Sequence, residues 1–204
     1  MSTSTLATSL EAVGSKGIGL RVEFHRDRDR YAHRVLGFNG DGKAVCLLES
    51  VEELPSSAWP CSPVLQGLNV EDLNRKHQTD EVQLAAMLIG MAGDGHWSLV
   101  VKPTLDDRTT GLVFEAACRV KSLPPQFTSS YRIADQIKQD ASSTGCRLET
   151  YLGNFCIQPL ALANQPTKSC QLVLRNNVCR LTAEAGWDVS PPVTIQWAYA
   201  ISIS

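Results

Sequence analysis

Hydrophobic and polar residues alternate along residues 193–203, the last strand-like run of the chain. Every second residue is apolar, and these positions are Val193, Ile195, Trp197, Tyr199, Ile201 and Ile203. Because successive side chains of a β-strand point to opposite sides of the sheet, the alternation predicts a strand with one buried face. The same pattern recurs upstream, which indicates a protein built mainly of β-strands.

Upstream of this run, ten further segments predict strands and bring the total to about eleven. They are 20–25, 31–35, 43–51, 82–91, 96–102, 112–121 and the four strands of two hairpins over 147–160 and 170–183. Turn signals at this spacing are typical of two packed sheets or of a barrel. We therefore expect a mainly-β fold, an antiparallel β-sandwich, with a strongly bent or closed β-barrel as the alternative.

Segment 43–51 departs from simple alternation. It contains Val45, Cys46, Leu47 and Leu48 in succession, so it is apolar on both faces. A strand of this kind is covered on both sides, which predicts a second layer over it.

Three other segments predict short helical elements. Residues 6–13 allow a helical turn or two, and Asn69 can cap a short helix that runs through Arg75. A surface helix is predicted over 133–141, where isoleucines recur at a spacing of four. We therefore expect one or two short helices beside the strands.

The chain divides into an N-terminal arm and one domain. Residues 1–17 are rich in Ser, Thr, Ala and Gly, and we expect them to be mobile. Residues 18–204 are expected to form a single β domain, since neither a linker nor an internal repeat divides them. A chain of 204 residues is long enough to bury one sizeable core.

Composition narrows the classes of partner. The formal net charge of -2 argues against a nucleic-acid-binding protein, which normally presents a basic face. No apolar run approaches the roughly 18 residues that a membrane-spanning helix needs, so we expect no membrane association. The N-terminus carries no signal-peptide pattern, and we expect a cytoplasmic protein.

The seven cysteines are odd in number, and no two of them have C-x-x-C spacing. Two pairs flank predicted hairpin turns, but their register argues against disulfides. With a turn at Gly153-Asn154, Cys156 lies opposite Tyr151; with a turn at 176–177, Cys179 lies opposite Leu174. We therefore expect free thiols that behave as small hydrophobic residues, and a reducing compartment.

The middle hairpin carries the candidate site. With a turn over 92–95, Met91 faces His96, and the apolar flank is formed by the alternate residues that include Trp97. The next strand must place its own apolar residues on that flank, which displays Glu115 and Arg119 on the other flank beside His96 and Ser98. The predicted ligand-binding residues are Met91, His96, Ser98, Glu115 and Arg119.

An apolar floor with a few polar groups is the usual composition of a small-molecule pocket. Our first hypothesis is a non-enzymatic binding module for a small, partly apolar ligand. The second is a hydrolase or isomerase in which His96 is the general base and Glu115 orients it. The third is an interaction protein that uses the same sheet face as a homodimer seam.

The sequence contains no known catalytic or cofactor-binding motif that would make these hypotheses more specific. The segment 14–19 has neither of the spacings of a phosphate-binding loop, and G-x-S-x-G is absent. We expect no cofactor. The four histidines have no paired spacing, so we expect no metal site, and His33 is predicted to be a neutral core residue.

Overall fold

The computed structural model describes residues 8–52, 59–72, 84–105, 109–122, 126–142, 144–162, 165–168, 170–183 and 190–204. These residues form sixteen strands: β1 (Thr8–Val13), β2 (Gly19–Asp27), β3 (Arg30–Phe38), β4 (Ala44–Ser50), β5 (Gly67–Asp72), β6 (Leu84–Ala92), β7 (Gly95–Leu105), β8 (Thr110–Val120), β9 (Thr128–Ile133), β10 (Lys138–Ser142), β11 (Gly145–Thr150), β12 (Gly153–Leu162), β13 (Gln165–Lys168), β14 (Cys170–Arg175), β15 (Val178–Ala183) and β16 (Val193–Ile203). Within the described ranges there is no helix that is long and apolar enough to cross a membrane.

The strands form two antiparallel sheets that pack face to face. The first sheet has the order β1-β2-β3-β4-β9-β15-β14, and the second has the order β10-β11-β12-β16-β8-β7-β6-β5 with β13 paired to β12. Neither sheet closes on itself, so the barrel alternative is not formed. The predicted β-sandwich is confirmed.

Three central strands of the second sheet supply the largest part of the core. β7, β8 and β16 turn Trp97, Phe114, Trp197 and Tyr199 inward, and each of these side chains is at most 2% exposed. Phe114 and Tyr199 are direct cross-strand partners, and their rings stack with centroids 5.0 Å apart. The alternation predicted over 193–203 is therefore confirmed, because its apolar set faces the first sheet.

The segments predicted as helices are extended instead. Residues 8–13 form β1, in which only Leu10 and Ala12 are buried, so their spacing of two follows a strand. The helical turn predicted there is wrong, and these six residues of the expected mobile arm are paired along β2. Residues 1–7 lie outside the described ranges, and the assignment of 18–204 to one domain stays a prediction.

Two further helix predictions are also wrong. Asn69 lies in β5, where it pairs with Met87 instead of capping a helix. Residues 70–72 continue β5, and 73–75 lie outside the described residues. In 133–141, β9 ends at Ile133, a turn follows, and β10 begins at Lys138. Ile133 and Ile137 are both buried because strand and turn each point one isoleucine inward, which reproduces a helical spacing by coincidence.

The apolar run in 43–51 has a different cause from the one we expected. The pairing of β3 with β4 shifts register, so that Leu36 faces Cys46 whereas Val35 faces Leu48. Leu47 is therefore the extra residue of a β-bulge, and both it and Leu48 are fully buried. The consecutive leucines reflect this bulge and not a strand covered on both faces.

None of the seven cysteines is in a disulfide. Cys179 lies opposite Leu174, as predicted. Cys156 instead lies opposite Arg147, because the turn comes two residues earlier, at 151–152, and pairs Thr150 with Gly153. The conclusion that neither hairpin carries a disulfide is unchanged.

Gly90 of β6 allows the loop that contains residues 64–66 to pass close to the second sheet, next to the predicted site. The backbone N–H of Gln66 donates to the carbonyl of Ile89 at 2.7 Å, and the Gln66 side chain accepts from the N–H of Met91 at 3.1 Å. A Cβ added to Gly90 would lie 2.1 Å from the carbonyl oxygen of Val64. This backbone contact leaves room only for glycine.

We therefore expect Gly90→Ala to destabilise the protein by about 1–3 kcal/mol, the usual cost of forcing an extra methyl group into a packed site. Gly40→Ala is the matched control, since a Cβ at Gly40 meets nothing within 4 Å. Urea unfolding of both variants measures the difference. Equal stability of the two variants would contradict the proposed close passage of the loop.

Candidate functional site

The outer face of the second sheet is ordered in rows of side chains that run across the strands. One row consists of Met91, His96, Arg119 and Thr194, which are successive cross-strand partners on β6, β7, β8 and β16. The next row consists of Ile89, Ser98, Ala117 and Gln196. A third row contains Met87, Val100, Glu115 and Ala198. The register predicted for the β6–β7 hairpin is confirmed at every pair.

The five predicted ligand-binding residues all lie on this face but do not converge on one point. Met91, His96 and Arg119 share the first row, whereas Ser98 and Glu115 belong to the second and third. His96 and Arg119 are exposed, and Ser98 is half-buried. The first row is therefore where predicted side chains are direct neighbours.

Glu115 is separated from His96. It lies opposite Val100, four residues along β7 from His96, which corresponds to about 13 Å along a strand. Its carboxylate instead accepts a hydrogen bond from Nζ of Lys102 at 2.7 Å. In the described part of the chain, no carboxylate is hydrogen-bonded to His96, so the orienting acid of the enzyme hypothesis is not found there.

A cavity of about 640 Å³ opens at the end of the first row. Its lining residues are Asp94, His96, Arg119, Val120, Lys121 and Pro192. The sheet face supplies His96 and Arg119, while the turn between β6 and β7 supplies Asp94. Lys121 directly follows β8, and Pro192 directly precedes β16. Two predicted residues thus lie at the cavity, and Met91, Ser98 and Glu115 are not among the described residues that line it.

The cavity brings two cationic side chains together. Neither Arg119 nor Lys121 forms an ion pair with a described residue, and Asp94 is the one carboxylate among the described lining residues. Among the described residues, no group of three or more His, Cys, Asp or Glu side chains could hold a metal ion. The donors at this cavity therefore suit an organic or anionic ligand better than a cation.

Apart from the cavity, a network of polar side chains is buried between the two sheets. His33 from β3 bonds through Nε2 to the hydroxyl of Tyr131 on β9 at 2.8 Å, and that hydroxyl bonds to the hydroxyl of Tyr199 on β16. Beside it, Ser50 Oγ donates to Glu52 at 3.0 Å and accepts from the backbone N–H of His33 at 3.0 Å. His33 is buried, as predicted for a core histidine.

Burial perturbs the titratable groups of this network. It lowers the pKa of His33 to about 4, with a smaller contribution from the charge of His25. It raises the pKa of Glu52 to about 7, although the hydrogen bond from Ser50 and the charge of Arg30 oppose the rise. Both groups are therefore pushed toward their neutral forms, as desolvation requires.

Sequence patterns identified only some of the residues at the cavity and in the buried polar network. Lys121, Pro192 and Asp94 are missed because they lie outside strand interiors, where alternation carries no information. Glu52 is missed because its burial comes from the packing of distant segments. The Pro-Pro dipeptide at 191–192, just before β16, is a local feature of the sequence that lies at the cavity.

Comparison with known proteins adds no relative from which a role could be transferred. No protein-family model, curated protein or solved structure matches the chain. The functional interpretation therefore depends on the contacts of the residues described above.

Glu52 predicts a pH-dependent loss of stability. Its pKa is raised from 4.5 to about 7 in the folded protein, so the native state holds this proton more tightly than the unfolded chain does. The stabilisation is complete below about pH 4.5 and is lost as the pH rises through about 7. The expected loss is about 3 kcal/mol, and Glu52→Gln should abolish it.

Urea unfolding from pH 4.5 to well above pH 7 measures this effect as the difference between wild type and variant. Glu49→Gln is the control, since Glu49 is an exposed carboxylate on the same strand-and-loop segment. Parallel pH profiles for wild type and Glu52→Gln would show that Glu52 does not titrate in the folded core.

Proposed function

We propose that the chain is a non-enzymatic binding module for a small, partly apolar ligand. The observation that carries the proposal is the cavity of about 640 Å³ at the end of the first outer-face row. Ligand sites are typically concavities of about 300–1,000 Å³ with apolar walls and a few polar groups. Here Pro192 is the exposed apolar residue, while His96 and Arg119 offer polar groups; Val120 also lines the cavity but is only 1% exposed.

The remaining predicted residues differ in how close they lie to the proposed binding site. Met91 is the direct neighbour of His96 and extends the apolar surface away from the cavity. Ser98 lies one row further along the same strand, within reach of a ligand that follows the sheet. Glu115 is occupied by its ion pair with Lys102, and we assign it no ligand contact.

Binding is better supported than catalysis. A general base is effective when a neighbouring group orients it and holds its proton in place. His96 has no such carboxylate partner among the described residues, and Ser98 makes no hydrogen bond to it there. The hydrolase or isomerase hypothesis would need a group that the described part of the chain does not supply.

The state of the cysteines bears on where such a module would act. None of the seven thiols is in a disulfide, and burial raises the pKa of Cys146 to about 11 and that of Cys118 to about 12. Thiols of this kind are unreactive at neutral pH. They support the proposed cytoplasmic location.

We expect His96→Trp to abolish ligand binding, because an indole on the exposed face of β7 would fill the mouth of the cavity. A strand readily accepts tryptophan at an exposed position, so folding should be retained. Native mass spectrometry of protein purified from its own host measures the retained small molecule in wild type and variant.

Arg147→Trp is the matched control, since Arg147 is exposed on β11 of the same sheet but does not line the cavity. It should retain the ligand. A fragment screen by NMR covers ligands that are lost during purification. If wild type retains nothing and no fragment shifts the resonances of 94–96 and 119–121, the proposal is wrong.

A homodimer is the second candidate, and one observation favours it. Met87, Ile89 and Met91 project in series from β6 on the outer face, and they are 41%, 64% and 52% exposed. Exposed apolar patches of this kind are typical of contact surfaces. A twofold axis over β6 would place the same strip of two copies in contact.

The dimer predicts a mass that rises with concentration in sedimentation, and Ile89→Lys should return the protein to a monomer. Burying an unpaired ammonium group in an apolar contact is strongly unfavourable. Val173→Lys on β14 of the first sheet, also exposed (41%), should have no effect. A wild-type monomer at high micromolar concentration would dismiss this candidate.

A further inference from the structure

We infer that the ligand of the cavity carries an anionic group, a carboxylate or a phosphate, which Arg119 binds together with Lys121 and His96. This inference rests on the proposed function and names the chemical class of its ligand. It follows from three features of the cavity. These are the placement of the three hydrogen-bond donors, the lack of an ion pair between the two cations and a described residue, and the local charge.

The three nitrogen-bearing side chains converge from adjacent strands. His96 and Arg119 are direct cross-strand partners, and Lys121 is two residues beyond Arg119 along the chain. Side chains of directly opposed residues have Cβ atoms about 5 Å apart. A single carboxylate or phosphate group can therefore contact all three side chains at the same end of the sheet.

Some cations of the sheet faces, though not all of them, are paired with carboxylates. Arg34 lies 2.7 Å from Glu23, Arg21 lies 2.7 Å from Glu11, and Lys102 lies 2.7 Å from Glu115. Arg119 and Lys121 line the cavity without any such ion pair to a described residue. Within the described part of the chain, these two side chains therefore have no carboxylate partner that a ligand would have to displace.

Local charge at the cavity has the opposite sign to the charge of the chain. The chain carries a formal net charge of -2, whereas the described cavity lining holds two cations, Arg119 and Lys121, against the single carboxylate of Asp94. Concave surfaces of one sign concentrate ligands of the other sign. An anion is therefore favoured over a neutral or cationic ligand.

Arginine and lysine then have different parts in recognition. The planar guanidinium of Arg119 matches the two oxygens of a carboxylate or phosphate and can donate two parallel hydrogen bonds. Lys121 adds a flexible point charge. The apolar part of the ligand would lie along Pro192 and the methylene groups of the two cationic side chains.

Three probes with the same hexyl group test the inference: heptanoate, hexyl phosphate and hexan-1-ol. NMR titration follows the backbone amides of 94–96 and 119–121. We expect at least one anion to bind about tenfold more tightly than the alcohol, a difference of about 1.4 kcal/mol. The tighter of the two anions identifies the carboxylate or the phosphate as the group recognised.

Arg119→Gln should remove this preference, and raised salt should weaken binding of the anions but not of the alcohol. Arg147→Gln is the control, since it also removes one exposed cation from the second sheet but lies away from the cavity. It should leave the affinity for either anion unchanged.

The outcomes separate failure of the inference from failure of the proposed function. Equal affinity for alcohol and anions at these residues would overturn the anionic class and leave the cavity as a binding site. An anion preference that Arg119→Gln leaves intact would also overturn the inference. If none of the three probes shifts these resonances, the anion site and the proposed cavity fail together.

Discussion

Burial of one flank of β7, β8 and β16 is the constraint on which the rest of the molecule depends. Trp97, Phe114 and Tyr199 are too large and too apolar to face water, so they set the side of the second sheet that meets the first. Because side chains alternate, this choice also sets which residues are displayed outward. The positions of His96 and Arg119 on the outer face are thus a consequence of core packing.

The same core also buries polar groups, and most of these need hydrogen-bond partners inside the protein. The hydroxyl groups of Tyr131 and Tyr199 join the two sheets, and Ser129 accepts a hydrogen bond from Nε1 of Trp197 at 3.0 Å. Buried polar atoms are expensive unless they are paired. Nδ1 of His33 and one carboxylate oxygen of Glu52 have no hydrogen-bond partner in the described structure. At His33 and Glu52, incomplete hydrogen bonding and a perturbed pKa therefore occur together.

The fold class and the register of the middle hairpin could be predicted from sequence, and the number of strands could not. Alternation over β7 and β16 is long enough to specify a face, and the turn before Gly95 fixes the pairing. Short edge strands lack this signal, and β5 has mostly half-buried residues that no period distinguishes from a helix. The bulge at Leu47 imitated a doubly covered strand. Glu52 carries no local pattern, because its burial depends on contacts between distant segments.

Only part of the candidate site was predictable, because alternation carries information about strands and not about turns and strand ends. A flat sheet face offers a ligand one side of contact, and a concavity needs walls that rise from the ends of the strands. At this cavity the floor includes His96 and Arg119, which alternation places, whereas the walls come from Asp94, Lys121 and Pro192 in turns and strand ends. Ion pairing within the sheet, as between Lys102 and Glu115, satisfies charges in the middle of the face. Arg119 has His96 and Thr194 as its cross-strand neighbours, and neither of them carries a carboxylate. Arg119 therefore lies at the cavity without an ion pair to a described residue, and the proposed recognition of an anionic ligand depends on this arrangement.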